Sequence, residues 1–282
     1  MGYETLIDAA TVLDNVHQPQ WRIVDCRFNL ADTEAGRRAY QAGHLPGASY
    51  AHLDEDLSSP VTATSGRHPL PDEQAFLQTL GRWGISTDTQ VVVYDDAGGA
   101  TAARLWWLLK RVGHRDVAVL DGGLTAWAQA GGELVTDLPA VVGTGAYPAS
   151  VALVQARNAD ELLAQMSDPR WQLVDARAAE RFRGEVEPLD PVAGHIPGAM
   201  NRPLQQNLQP DGRFKSFNQL RGEWQALLGE ATPKEVVHYC GSGVTACHNL
   251  LAMEHAGLNG SRLYPGSWSE WCKDASRPMV TK

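Results

Sequence analysis

Short apolar runs separated by longer amphipathic stretches set the rhythm of the chain. RIVD and QLVD, QVVVYD and EVVHY, DVAVLDGG and the segment around SRLYPGS have strand length and β-branched character. Helical patterns lie between them. In PDEQAFLQTLGRWG, Phe76, Leu77 and Leu80 share one face, and Pro71 and Asp72 suit a helix start. TAARLWWLLKRVG ends at Gly113, the residue type expected just past a helix C-terminus. Strands alternating with helices predict an α/β fold, each sheet parallel and covered by helices on both faces.

The pattern occurs twice. WRIVDCR at 21–27 returns as WQLVDAR at 171–177, and AGHLPGA at 42–48 returns as AGHIPGA at 193–199. VVVYD, ending at Asp95, matches VVHYC, ending at Cys240, and DGGLTAW, ending at Trp127, matches PGSWSEW, ending at Trp271. Matches in the same order, at offsets drifting between 151 and 144, describe two copies of one module. A copy is about 130 residues, an ordinary domain size. The stretch TDLPAVVGTGAYPAS, small and free of helical periodicity, predicts a linker over 136–150 between domains spanning 1–135 and 151–282.

The chain has 282 residues, 33 acidic and 24 basic, for a net charge of −9 spread along its length. That balance gives no electrostatic footprint for nucleic acid or an anionic membrane surface. No apolar run approaches the roughly 18 residues of a membrane span, and MGYETLIDAATVLDNV lacks the basic and apolar regions of a secretory signal. The expected location is the cytoplasm. Cys26, Cys240, Cys247 and Cys272 form no CxxC pair and no metal-ligand spacing, so reduced thiols are expected rather than a disulfide framework or a metal site.

Ligands of parallel α/β sheets bind beyond the carboxyl ends of strands, where loops lead into helix N-termini. EVVHY-CGSGVTA-CHNLLAMEHAG has that layout, with Cys240 opening a Gly-rich loop. A cysteine there faces unpaired backbone N–H groups and the positive end of a helix dipole, which favours its thiolate. Gly241 and Gly243 allow the backbone to curl around the sulfur. The plainer alternative, a small hydrophobe at a strand end, fits Cys26, Cys247 and Cys272 better. The first copy reads VVVY-DDAGGATAA, with Asp95 where Cys240 stands, so that copy lacks the nucleophile; Asp95 and Asp96 are expected to help cap the following helix. His44 and His195, in the two GHxPGA turns, read as structural, and Trp106, Trp107, Trp127 and Trp271 as core.

CGSGVTA, the doubled AGH[IL]PGA, the VD.R strands and the [DP]G[GS]..[AE]W segments together resemble the two-domain rhodanese-like sulfurtransferases over essentially the whole chain. The cysteine loop is similar to that of the 3-mercaptopyruvate sulfurtransferase branch, since thiosulfate-using rhodaneses carry cations where Gly241 and Ser242 stand. The resemblance implies that Cys240 takes sulfur from a small anionic donor as a persulfide. It would then pass that sulfur to a thiol acceptor such as thioredoxin or glutathione, or to cyanide, in a monomer that needs no cofactor. The loop amides from Gly241 through Ser242, Gly243, Val244 and Thr245 to Ala246 would bind the anionic sulfur. The resemblance also implies a relay of Ser242, His68 and Asp54, with Asp56 as a rival for Asp54. Because His68 lies in the first copy, that relay would draw on both copies. Arg181 aligns with one substrate-binding arginine; the second position reads Pro188-Leu189-Asp190, and Arg67 is the candidate to supply the missing charge.

Three other readings are distinguishable. The first is a thiosulfate:cyanide sulfurtransferase. The second is a phosphatase, disfavoured because Ala246 occupies the position where an HCx5R loop needs arginine. The third is a non-catalytic binding module, plausible for the first copy because of Asp95.

Overall fold

A computed structural model describes residues 2–139, 143, 145–166, 168 and 170–281. In the first half, β1 (Leu6–Ile7), α1 (Ala9–Asn15), β2 (Trp21–Asp25), α2 (Ala35–Ala42) and β3 (Ser49–Tyr50) are followed by α3 (Glu73–Arg82), β4 (Gln90–Tyr94), α4 (Ala102–Arg111), β5 (Val117–Leu120) and α5 (Gly123–Gln129). The second half repeats the series as β6 (Gln155–Ala156), α6 (Ala159–Gln165), β7 (Gln172–Asp175), α7 (Ala179–Phe182), β8 (Met200–Asn201), α8 (Phe217–Leu228), β9 (Val236–Tyr239), α9 (Ala246–His255), β10 (Arg262–Leu263) and α10 (Ser267–Trp271). Each sheet has five parallel strands, ordered β1-β5-β4-β2-β3 and β6-β10-β9-β7-β8. The two orders are identical, so the internal repeat is a repeat of topology as well as of sequence.

The central strands β4 and β9 are buried at every position, as a strand covered on both faces requires. Asp72 caps α3 by accepting the N–H of Ala75 at 2.9 Å, and Gly113 follows α4 with a φ of 84°, the left-handed conformation expected of a glycine there. Trp106, Trp107, Trp127 and Trp271 are all at most 1% exposed, in keeping with core roles. Both GHxPGA histidines are satisfied by backbone. Nδ1 of His44 lies 2.7 Å from the Tyr40 carbonyl, and Nδ1 of His195 lies 2.7 Å from that of Phe182; each imidazole stacks on the same aromatic ring at 3.9 Å.

The chain folds as two compact units whose membership departs from a single cut. The first holds Met1–Ser59, Leu70–Leu153 and Pro210–Phe214; the second holds Pro60–Pro69, Val154–Gln209 and Lys215–Lys282. Residues 60–69 thus lie outside the 1–135 domain expected from sequence. Within the second unit the Arg67 N–H donates to Oγ of Ser269 at 3.0 Å, and Nζ of Lys273 donates to the Ser65 carbonyl at 2.6 Å. Conversely, the Phe214 N–H donates to the Asp121 carboxylate in the first unit at 2.8 Å. Of the linker expected over 136–150, residues 140–142 and 144 lie outside the described residues. Tyr147 from that stretch is buried in the first unit, its N–H bonded to the Leu77 carbonyl at 2.9 Å. Among the described residues no helix is long and apolar enough to cross a membrane.

Candidate active site

Strand β9 delivers Cys240 to the carboxyl edge at the middle of its sheet, and α9 begins six residues later at Ala246. The Cys240 side chain is 1% exposed, and its Sγ accepts the Gly243 N–H at 3.1 Å. Gly243 has a φ of 76°, and a Cβ on it would strike the Pro265 carbonyl, so glycine is required there on both counts. Gly241 serves differently. Its φ is not left-handed; instead, a Cβ on it would stand 2.7 Å from Nη2 of Arg67 and 3.5 Å from Nη1 of Arg181. Its bare Cα leaves room for two guanidinium groups beside the cysteine.

Arg67 and Arg181 come together beside Gly241. The anions holding them are Asp190 and Glu187, whose side chains are each 3% exposed. Arg67 pairs with Asp190, and Nη2 of Arg181 donates to Glu187 at 2.6 Å and to Asp190 at 3.3 Å. Burial pushes the Asp190 carboxyl up; for Glu187 burial also pushes upward, but hydrogen bonds and charge from Arg181 outweigh it and hold the carboxyl below its ordinary range. Leu189, at the position where an arginine was missed, is 44% exposed.

Nδ1 of His68 lies 2.7 Å from Oγ of Ser242; both residues are buried, and both belong to the second unit. His68 and Ser242 therefore come together within a single unit, because residues 60–69 fold with the second. Asp54 and Asp56 belong to the first unit. Asp54 is exposed, and its N–H donates to Nδ1 of His52 at 3.2 Å. The Asp56 carboxylate is committed to the His52 N–H at 2.9 Å. Val244, Thr245 and Ala246 complete the loop, with Thr245 as the residue preceding α9.

Ser267 is a site residue for which the sequence reading had no role. Its φ of 54° is the only positive value at a non-glycine among the described residues. Fully buried, it donates its hydroxyl to the Tyr264 carbonyl at 2.9 Å and accepts the Cys240 N–H at 3.1 Å. The repeat held the clue: Ser267 corresponds to Gly123 of the first copy, whose φ is 52°. Non-glycine residues are strained in this region, and such strain concentrates at functional sites.

The first copy shows what this loop geometry does with an anion. The buried Asp95 carboxylate accepts four backbone N–H groups, from Ala97 at 2.9 Å and Gly99 at 2.8 Å on one oxygen, and from Thr101 at 2.8 Å and Ala102 at 2.9 Å on the other. Asp95 thus ties down the start of α4. Gly98, at φ 67°, matches Gly243, but the loops differ at the next position, where Gly99 has a φ of 91° and Val244 no positive φ. The other three thiols, Cys26, Cys247 and Cys272, are unbridged and buried, and burial pushes Cys26 and Cys272 above the usual thiol range.

A buried cysteine opening an amide-lined loop after the central strand, in one of two copies of a five-stranded parallel α/β unit, defines a class of sulfur-handling fold. The chain belongs to the rhodanese-like domain family, whose pattern matches residues 8–130 and 158–274. It is 48% identical over 283 residues to a probable 3-mercaptopyruvate sulfurtransferase of Pseudomonas aeruginosa, covering 100% of this chain and 99% of that one. It is 42% identical to a putative thiosulfate sulfurtransferase, SseB, of Mycobacterium tuberculosis, over 91% of this chain and 89% of that one. The fold is similar to that of 3-mercaptopyruvate sulfurtransferase from Leishmania major, with a TM-score of 0.83 and 34% identity over 95% of this chain and 74% of that one.

Proposed function

We propose that the protein is a sulfurtransferase that takes sulfur from 3-mercaptopyruvate on Cys240 and hands it to a thiol or to cyanide. The observation that carries this reading is the loop around Cys240, whose counterpart in the first copy already holds an anion with four amides. The Cys240 thiolate attacks the donor sulfur; an S–S bond forms and the C–S bond breaks, its electron pair leaving as the enolate of pyruvate. Loop amides of Ser242, Val244 and Ala246, which correspond to Ala97, Gly99 and Thr101, would stabilise the charge on the outer sulfur. The enolate then takes a proton at carbon. Ser242 with His68 is the proposed source, and Asp54 is the third member that the family resemblance assigns. In the second half-reaction an acceptor thiolate, from thioredoxin or glutathione, attacks the outer sulfur and Cys240 leaves as thiolate. Cyanide attacks in the same way to give thiocyanate.

Arg67 and Arg181, whose guanidinium groups lie where a Cβ on Gly241 would point, support a carboxylate-bearing donor, because their planar forks match a carboxylate. The four unbridged thiols support a reducing compartment, the cytoplasm. Thiosulfate remains the rival donor, since relatives carry both names. Mass spectrometry of protein treated with each donor tests the reading: 3-mercaptopyruvate should add one sulfur to wild-type protein and none to Cys240→Ser. A higher kcat/KM for thiosulfate would replace the proposed donor, and absence of an adduct with either would leave a binding role.

A further inference from the structure

We infer that Asp190 sets the charge of the donor this site accepts, by cancelling the positive charge of Arg67 and Arg181 and so favouring a monoanion over a dianion. The inference rests on the donor-binding role proposed for those two arginines. Arg67 and Arg181 both pair with Asp190, Arg181 and Arg177 both pair with Glu187, and Arg177 pairs with Asp175 at 2.7 Å. Three guanidinium groups therefore meet three carboxylates, a cluster of zero net charge. The carboxylate side chains of Asp190 and Glu187 are 3% exposed, whereas Arg67 and Arg181 are 23% and 17% exposed, so solvent and an incoming anion meet the cations while the compensating charge lies beneath. Among the described residues the buried Nε of Arg67 has no hydrogen-bond partner, leaving it donor capacity that Asp190 does not use.

The consequence for specificity follows from Coulomb's law. A neutral cluster offers directed N–H donors to one carboxylate but no net field to attract a second negative charge. Removing one carboxylate would raise the local charge by one, and the attraction gained by a dianion is twice that gained by a monoanion. Asp190→Asn keeps the shape and one acceptor oxygen, and should raise the ratio of kcat/KM for thiosulfate to that for 3-mercaptopyruvate by about tenfold at low salt, the shift shrinking as ionic strength rises. Glu187→Gln removes the neighbouring charge and should move the ratio in the same direction, which keeps the inference testable if one variant fails to fold. Asp190→Glu, which retains the charge, should keep the wild-type ratio. A parallel loss of both donors, independent of salt, would overturn the inference and leave Asp190 a scaffold for the arginines. Failure of wild-type protein to acquire sulfur from either donor is a separate result, and it would overturn the proposed function instead.

Discussion

His68 and Ser242 stand 174 positions apart in sequence, yet their Nδ1 and Oγ atoms approach to 2.7 Å inside one folded unit. A hydroxyl held by an imidazole is suited to move a proton to or from a group next to the cysteine. Only a donor that departs as a carbanion equivalent needs that proton. Ser242→Ala and His68→Gln should therefore each lower kcat with 3-mercaptopyruvate by about 10²-fold or more, the double variant being no worse than the weaker single one. With thiosulfate, which leaves as sulfite, the loss should be much smaller. Steady-state kinetics with both donors checks this; equal losses with both would remove the pair from proton transfer.

Ser267 should reveal itself through two substitutions that differ by one methyl group. Ser267→Ala strands the buried Cys240 N–H, a change worth about 1–3 kcal/mol of stability. Ser267→Gly strands the same N–H but removes the strain of a left-handed residue, so it should be more stable than the alanine variant by about 1 kcal/mol. Urea unfolding of the two proteins gives the difference directly. Both should also slow sulfur uptake, since the N–H they release belongs to the nucleophile.

Asp95 offers a contrasting case. Asp95→Ala orphans four amides, three of them buried, and should cost about 3 kcal/mol or more of stability in the first unit. Cys240 should still acquire sulfur from donor in the fraction that remains folded. Thermal melting paired with mass spectrometry separates the two effects; loss of the adduct from folded protein would give the first copy a part in the chemistry.

His238 supplies a pH dependence. Burial lowers its pKa from an ordinary 6.5 to about 3, and the ring lies between Met253, whose Sδ is 3.1 Å from Nε2, and Trp224. Between those pH values the unfolded chain holds a proton that the native protein lacks, so stability rises with pH. The contribution is fully present above 6.5 and is lost as pH falls toward 3. Each pH unit in that window accounts for at most about 1.4 kcal/mol. His238→Leu should flatten the profile there, as read from urea midpoints at a series of pH values.

The sequence carried the duplication, the strand and helix pattern, the cysteine loop and its silent counterpart, because each rests on local residue type. Arg67 stood out as a candidate charge because Leu189 left a gap in a known pattern, and the structure sets it beside Arg181 at Gly241. Other features depend on long-range packing and were not legible. A serine in a left-handed conformation looks like any other serine, and only its pairing with Gly123 hints otherwise. The carboxylates that hold the arginines, Glu187 and Asp190, read as ordinary loop acids until the fold buries them. The membership of residues 60–69 could not be read either, since short polar loops carry no periodicity to say which core they join.

That membership has a consequence for how such a chain could arise and change. With ten residues of the first repeat folded into the second unit, and Pro210–Phe214 into the first, a cut between the repeats would leave neither unit whole. A fragment starting at Val151 would keep the thiol and its loop while lacking Arg67 and His68. On the proposed chemistry such a fragment would be a sulfur carrier without its acid and one donor-binding arginine, and selection for that chemistry would hold the two copies together as one inheritance.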